Sequence, residues 1–171
     1  MAIITLNNNS LVNADVGKIA QVIYEEDTTN NMITTSTSSV DVVFGGTVFT
    51  ATITPSSTSS KILCMGILPM RSSHNGGNEA KYGMSVHAKI GAGSYTKIYG
   101  KTADATYFGG YDYGGSGLQV GISVPINVLY SPNTTSVVTF KYQVLTRDAS
   151  SDLTVNRGQV GTSFTLMEVL A

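Results

Sequence analysis

Between residues 82 and 90, apolar and polar side chains alternate without a slip. Tyr82, Met84, Val86, Ala88 and Ile90 fall on one face, and Gly83, Ser85, His87 and Lys89 on the other. That is the period of a half-buried strand. Gly91-Ala92-Gly93 turns the chain into a short partner at 95–99, so the pair reads as a hairpin. The alternation returns at 136–146, where Val138, Phe140, Tyr142 and Val144 share a face. It returns again at 163–170, where Phe164, Leu166 and Glu168 oppose Thr165, Met167 and Val169. Further strands are expected at 17–24, at 40–44 up to Gly45-Gly46, and at 153–155. Residues 118–130 read as a strand pair or a bent strand, interrupted at Pro125. Glu25-Glu26-Asp27 reads as a solvated turn, 32–39 as extended chain, and 71–81 and 101–117 as loops. About eight to ten short strands with regularly spaced turn signals, and no helical period, predict an all-β sandwich or barrel. The last strand is expected inside a sheet.

The chain is organised around residues 48–70, VFTATITPSSTSSKILCMGILPM. Pro55 lacks an N–H and ends the first strand of this stretch. Hydroxyls from Ser56 to Ser60 bond to local backbone and hold a turn, and the pair of strands reads as a hairpin. The second strand has two alternating sets, Ile62, Cys64, Gly66, Leu68 and Met70 against Leu63, Met65, Ile67 and Pro69, and both are apolar. In a two-layer sandwich one face of each strand points inward and the other is polar. One set therefore needs cover from outside the sandwich, and Leu63, Met65 and Ile67 are the candidate subunit interface.

Residues 1–16 hold Ile3, Ile4, Leu6, Leu11 and Val12 on either side of an Asn run. Such a segment cannot bury its own apolar side chains. Two readings stand: an extended arm that docks onto something else, or a short edge strand of the same domain. The expected division is an arm at 1–16 and a β-sandwich body at 17–171.

Composition narrows the partners. Charged residues are 12% of the 171, against about 25% in an ordinary domain. A surface of uncharged Ser, Thr, Gly and Asn suits permanent packing against neighbours. The net charge of −1 offers no basic field for phosphates, so nucleic acid is not expected as a partner. The one cysteine, Cys64, lies mid-strand and reads as a small buried hydrophobe. No leader pattern opens the sequence, and no run approaches the roughly 18 apolar residues of a membrane helix. The expectation is a chain made in the cytosol and not placed in a membrane.

The chemistry-bearing residues do not assemble into a reaction. His74 and His87 have no further ligand at metal spacing. No serine sits on a strand-to-helix elbow, and Gly91-Ala92-Gly93 precedes no helix that would hold a phosphate. Asp104 and Asp112, a conceivable glycosidase pair, lie in a Gly-rich loop where carboxylates are solvated. No enzyme, cofactor or metal is expected. The loop that stands out carries Tyr107, Phe108, Tyr111 and Tyr113 among glycines. It reads either as a contact loop for a protein or sugar or as aromatics packed on their own sandwich.

Three pieces resemble a known group of proteins when taken together. Gly17-Lys18-Ile19-Ala20-Gln21-Val22 follows the Asn-rich arm; Thr52-Ile53-Thr54-Pro55-Ser56-Ser57-Thr58-Ser59-Ser60-Lys61-Ile62-Leu63 forms the central turn; Phe164-Thr165-Leu166-Met167-Glu168-Val169 closes the chain. They resemble small β-sandwich virion proteins of tailed bacteriophages, of the marine and cyanobacterial phage type, which serve as decoration (cement) or fibre proteins. The resemblance covers the first third of the chain and its last strand. It implies an antiparallel jelly-roll-like β-sandwich, a homotrimer and no catalysis, and it leaves the position in the virion open; the leading expectation is a place on the capsid surface beside the major capsid protein. On this reading Ile3, Ile4, Leu6, Leu11 and Val12 anchor the chain to the shell. The alternative it leaves is a fibre or receptor-binding domain whose Tyr-rich loop contacts host glycan. A short chain beginning at Met1 favours the decoration reading.

Overall fold

A computed structural model describes residues 18–74, 79–100, 108–111, 118–146, 149, 151–158 and 160–170. Their regular structure is entirely β. The strands are β1 (Ile19–Asp27), β2 (Met32–Thr34), β3 (Val40–Asp41), β4 (Val43–Phe44), β5 (Thr47–Val48), β6 (Thr50–Ile53), β7 (Lys61–His74) and β8 (Glu79–Ile90). They continue with β9 (Thr96–Gly100), β10 (Phe108–Tyr111), β11 (Leu118–Tyr130), β12 (Val138–Thr146), β13 (Ser151–Val155) and β14 (Thr162–Val169).

Several of these share one position in a sheet. β7 runs beside β14 along one half and β13 along the other, and these pair in turn with β1 and β2. β11 covers the opposite side of β7 along its length. Sheet one is therefore β1/β2, β14/β13, β7, β11. In sheet two β12 pairs with β3 and β6 on one side and with β8 on the other, and β8 pairs with β9 and β10. Numbered along the chain, the eight positions read 1-8-3-6 in sheet one and 2-7-4-5 in sheet two. Every pair is antiparallel. Two four-position sheets wound in this order are a jelly roll. The expected antiparallel jelly-roll-like β-sandwich is what forms, with the last strand, β14, inside a sheet.

The core lies between the sheets. The alternating sets of β8, β12 and β14 point where their period places them: Met84, Val86, Val138, Phe140, Val144, Phe164 and Leu166 are buried. Cys64 is buried, and desolvation pushes its thiol up to about 12. Tyr142 of sheet two stacks on Phe164 of sheet one with ring centroids 4.0 Å apart, and Phe49 extends the stack at 5.8 Å from Phe164. The Tyr142 hydroxyl, held protonated by burial, donates to the Ser163 carbonyl at 2.8 Å. It can do so because residue 66 is glycine. A Cβ there would stand 2.2 Å from the hydroxyl and 2.3 Å from the Ser163 carbonyl oxygen.

Several expectations are corrected. Residues 48–70 are not a hairpin. β6 belongs to sheet two and β7 to sheet one, and the Pro55–Ser60 turn carries the chain around the end of the sandwich. Glu168, fully buried at the end of β14, holds this corner. Ser56 donates to its Oε1 through N (2.6 Å) and Oγ (2.7 Å), and Gln21 Nε2 donates to its Oε2 (2.7 Å). Burial alone would raise this carboxyl, but the bonds from Ser56 and Gln21 outweigh it and bring the pKa down to about 2. The expected loop at 71–81 is mostly ladder. Arg71 to His74 continue β7 because β11 and β13 pair with them on both sides, and residues 79–81 already belong to β8. Residues 118–130 form one unbroken strand. Pro125 is accommodated because β11 is an edge strand, with β7 as its one partner among the described residues. Glu25 and Glu26 lie in β1. The turn begins at Asp27, whose Oδ1 accepts the N–H groups of Thr29 and Asn30. The strand expected at 40–44 is split into β3 and β4, and Gly45-Gly46, both with positive φ, folds β4 onto β5.

The interruption between β1 and β2 is fastened to the one between β13 and β14. Asn156, at φ 57°, donates through Nδ2 to the carbonyls of Asp27 (2.9 Å) and Asn30 (2.7 Å) and accepts the Gly161 N–H at Oδ1 (2.9 Å). That is why the split strands stay in step.

Two outcomes follow. Gly66→Ala overfills the gap between the sheets and lowers unfolding free energy by about 1–3 kcal/mol or more. A fall in the urea midpoint measures this. Glu168→Gln leaves a corner bond unmade and costs about 1–3 kcal/mol at neutral pH. Because the folded pKa is depressed, the carboxylate's contribution is complete above about pH 4.5 and fades as pH falls toward 2. The difference from the unsubstituted chain should shrink over that window in denaturation curves taken at stepped pH.

Candidate functional site

The two sheets present outer faces of opposite character. On sheet one, Ile62, Cys64, Leu68 and Met70 of β7 point into the core, which turns Leu63, Met65 and Ile67 outward. The register then lines up a cross-sheet row of four apolar residues, Val22, Met167, Leu63 and Leu129. The next row is Tyr24, Thr165, Met65 and Asn127; the one after is Glu26, Ser163, Ile67 and Pro125. Ile19 and Val169 continue the apolar surface past the first row. The rim of this surface is open to solvent, with Val22 53% exposed, Leu129 54% and Ile67 46%, while Leu63, Met65 and Met167 between them are half-buried. Scattered exposed hydrophobics are ordinary, but a contiguous patch across four strands is a mark of an interaction surface. Of the residues singled out from sequence, Leu63, Met65 and Ile67 lie at its centre.

The outer face of sheet two is polar and partly closed. Lys141 Nζ lies 2.5 Å from Asp41 Oδ1, which also accepts Gln143 Nε2 at 2.7 Å. The Tyr95 ring covers Lys141 with its centroid 4.1 Å from Nζ. Burial would raise the Asp41 carboxyl, but the bonds from Lys141 and Gln143 hold it below the usual range. Ser85 Oγ lies 3.0 Å from His87 Nε2, two residues along the same strand face. Burial first, then the Lys141 charge, pushes the His87 imidazole below its ordinary value. Ser, His and Asp thus share one region, but they do not form a nucleophilic relay. Ser85 is fully buried, and the Asp41 carboxylate is occupied by Lys141 and Gln143. Among the described residues no cluster of three or more His, Cys, Asp or Glu could hold a metal. Sequence reasoning missed this group. The Ser85–His87 spacing was visible in the alternation, but Asp41 and Tyr95 reach it only through strand pairing and a turn.

The remaining candidates fall elsewhere. Ile3, Ile4, Leu6, Leu11, Val12, Tyr107, Tyr113, Asp104 and Asp112 lie outside the described residues. The expected Tyr-rich loop is interrupted by strand: Phe108 to Tyr111 form β10, whose backbone pairs with residues 79–82 of β8. His74 ends β7.

The geometry defines a class: a jelly-roll sandwich with one apolar and one polar outer face. No family model and no curated protein matches the chain. Among solved structures it is similar to chains in a structure of infectious bursal disease virus Gt strain (14% identity, TM-score 0.41) and of the Gx strain (13%, 0.33). Each match covers 90% of this chain, which spans 39% and 38% of the respective viral chains.

Lys141→Met strips Asp41 of its ion-pair partner and should cost about 1.5–3 kcal/mol. Lys89→Met, on the same face but outside the Asp41 bond, removes only a longer contact with the Tyr95 ring (5.0 Å) and should cost at most about 0.5–1 kcal/mol. Thermal unfolding of the two variants side by side checks the difference.

Proposed function

We propose that the chain is a virion structural protein, most specifically a capsid decoration protein of a tailed bacteriophage, which works by binding. Copies associate as a homotrimer through the outer face of sheet one, and the trimer bridges neighbouring subunits of the major capsid protein. The added contact area resists pressure from within the shell. The observation that carries this reading is the apolar row Val22, Met167, Leu63 and Leu129, with Met65 and Ile67 beside it. Fully burying an exposed side chain of this size is worth about 1.5–3 kcal/mol; these are half-buried or half-exposed in the single chain, so each adds a part of that, and together they suit a permanent contact. A closed ring covers such a surface without leaving an open, fibre-forming contact. The jelly-roll fold is compatible with many functions. The phage assignment comes from the sequence resemblance at 17–22, 52–63 and 164–169.

Light scattering tests the assembly. The unsubstituted chain should have three times the 18.0 kDa chain mass at micromolar concentration. Met65→Asp should reduce it to the single-chain mass, and Thr52→Lys, exposed on the opposite sheet, should leave it unchanged. An 18.0 kDa mass for the unsubstituted chain rejects the trimer. Quantitative mass spectrometry of purified virions tests the position. Decoration requires a copy number on the scale of the shell subunits; a few copies per particle would instead favour a fibre protein.

A further inference from the structure

A surface that packs on its own copy makes a twofold contact, whereas a closed threefold ring needs two different surfaces on every subunit. The described body offers one broad apolar surface, the outer face of sheet one. The opposite face carries Thr52, Thr139, Lys89, His87 and Lys141. A second surface can be supplied by another part of the chain, and the sequence offers an apolar candidate in Ile3, Ile4, Leu6, Leu11 and Val12. The Lys18 carbonyl accepts the Leu170 N–H at 2.9 Å, which places the start of the body beside Val169, at the margin of the apolar face. Seventeen residues precede Lys18. Extended, they reach about 55 Å at roughly 3.3 Å per residue, far beyond the roughly 15 Å that four strands occupy side by side.

We infer that residues 1–17 of each subunit lie on the outer face of sheet one of the next subunit, so that three arms and three faces close the ring. This rests on the trimer proposed above. It gives the arm a different partner from the shell contact that sequence resemblance implies. The partner it names is a second copy of this chain, with the arm's branched aliphatic side chains set against Val22, Leu63, Met65, Ile67 and Leu129.

The test uses the full chain. A variant carrying Ile4→Asp, Leu6→Asp and Leu11→Asp should keep the far-ultraviolet circular dichroism of the parent but scatter as a single chain. In parallel, a photo-crosslinking benzoylphenylalanine replaces Leu11. Irradiation should yield covalent dimers and trimers, with the adducts on peptides containing residues 22, 63–67 or 129. If the triple-Asp variant stays trimeric, or if all adducts fall within one chain, the arm exchange is wrong while the trimer stands. If the unsubstituted chain itself is monomeric, the trimer is wrong and the exchange goes with it.

Discussion

The spacing of the two sheets is set where Tyr142 meets the backbone of β14 over a glycine. Its ring stacks on Phe164, its hydroxyl reaches the Ser163 carbonyl, and both occupy the space that a side chain at position 66 would fill. A buried hydroxyl without a partner is costly, so the bond fixes the height of sheet two over sheet one. The other core contacts form around that height. Phe49 completes the stack from between β5 and β6. Leu68 and Met70 then fill the sandwich farther along β7. At the far end Glu168 turns the Pro55–Ser60 corner. The strands on either side of that corner thereby enter different sheets at a fixed point.

Much of this architecture can be read from the alternation of single strands. β8, β12 and β14 each bury the apolar set that their period separates, and Glu168 falls on the buried side with Phe164 and Leu166; β8 is not the half-buried strand its alternation predicts, because Gly83, Ser85 and His87 of the other set are buried as well. What the alternation does not carry is pairing. Residues 48–70 look like a hairpin because two apolar runs flank a turn, yet a turn that crosses between sheets has the same local composition as one that folds back within a sheet. Arg71 to His74 look like a loop because they are polar. Ladder bonds on both sides keep them in β7 regardless of side chain. The two-sided apolar character of 62–70 was legible. That Val22, Met167 and Leu129 complete a row with Leu63 depends on the register of three strand pairs and could not be read from spacing.

The polar group on sheet two shows how little residue identity fixes chemistry. Serine, histidine and aspartate meet there with one short contact, yet burial removes the hydroxyl from any substrate and a lysine takes the carboxylate. The same ingredients act as a clamp that fastens β3 to β12 beneath the Tyr95 ring. The two outer faces therefore differ in what they can exchange with surroundings. One satisfies its polar groups internally, while the other leaves aliphatic carbon in contact with water.

Pro125 sits midway along β11, a strand of 13 residues paired only with β7 among those described. An open edge of that length is a template onto which another chain could crystallise strand by strand. A residue with no N–H interrupts the template at its middle, so any strand laid along it would bury a carbonyl with nothing to donate to it. The outer face of sheet one and this edge adjoin, and they invite different kinds of association: side chains meeting side chains on the face, backbone meeting backbone on the edge. Pro125 discourages the second, while its ring lies on the face beside Ile67 and adds to the first. A chain built this way can thus be sticky in one direction and inert in the neighbouring one.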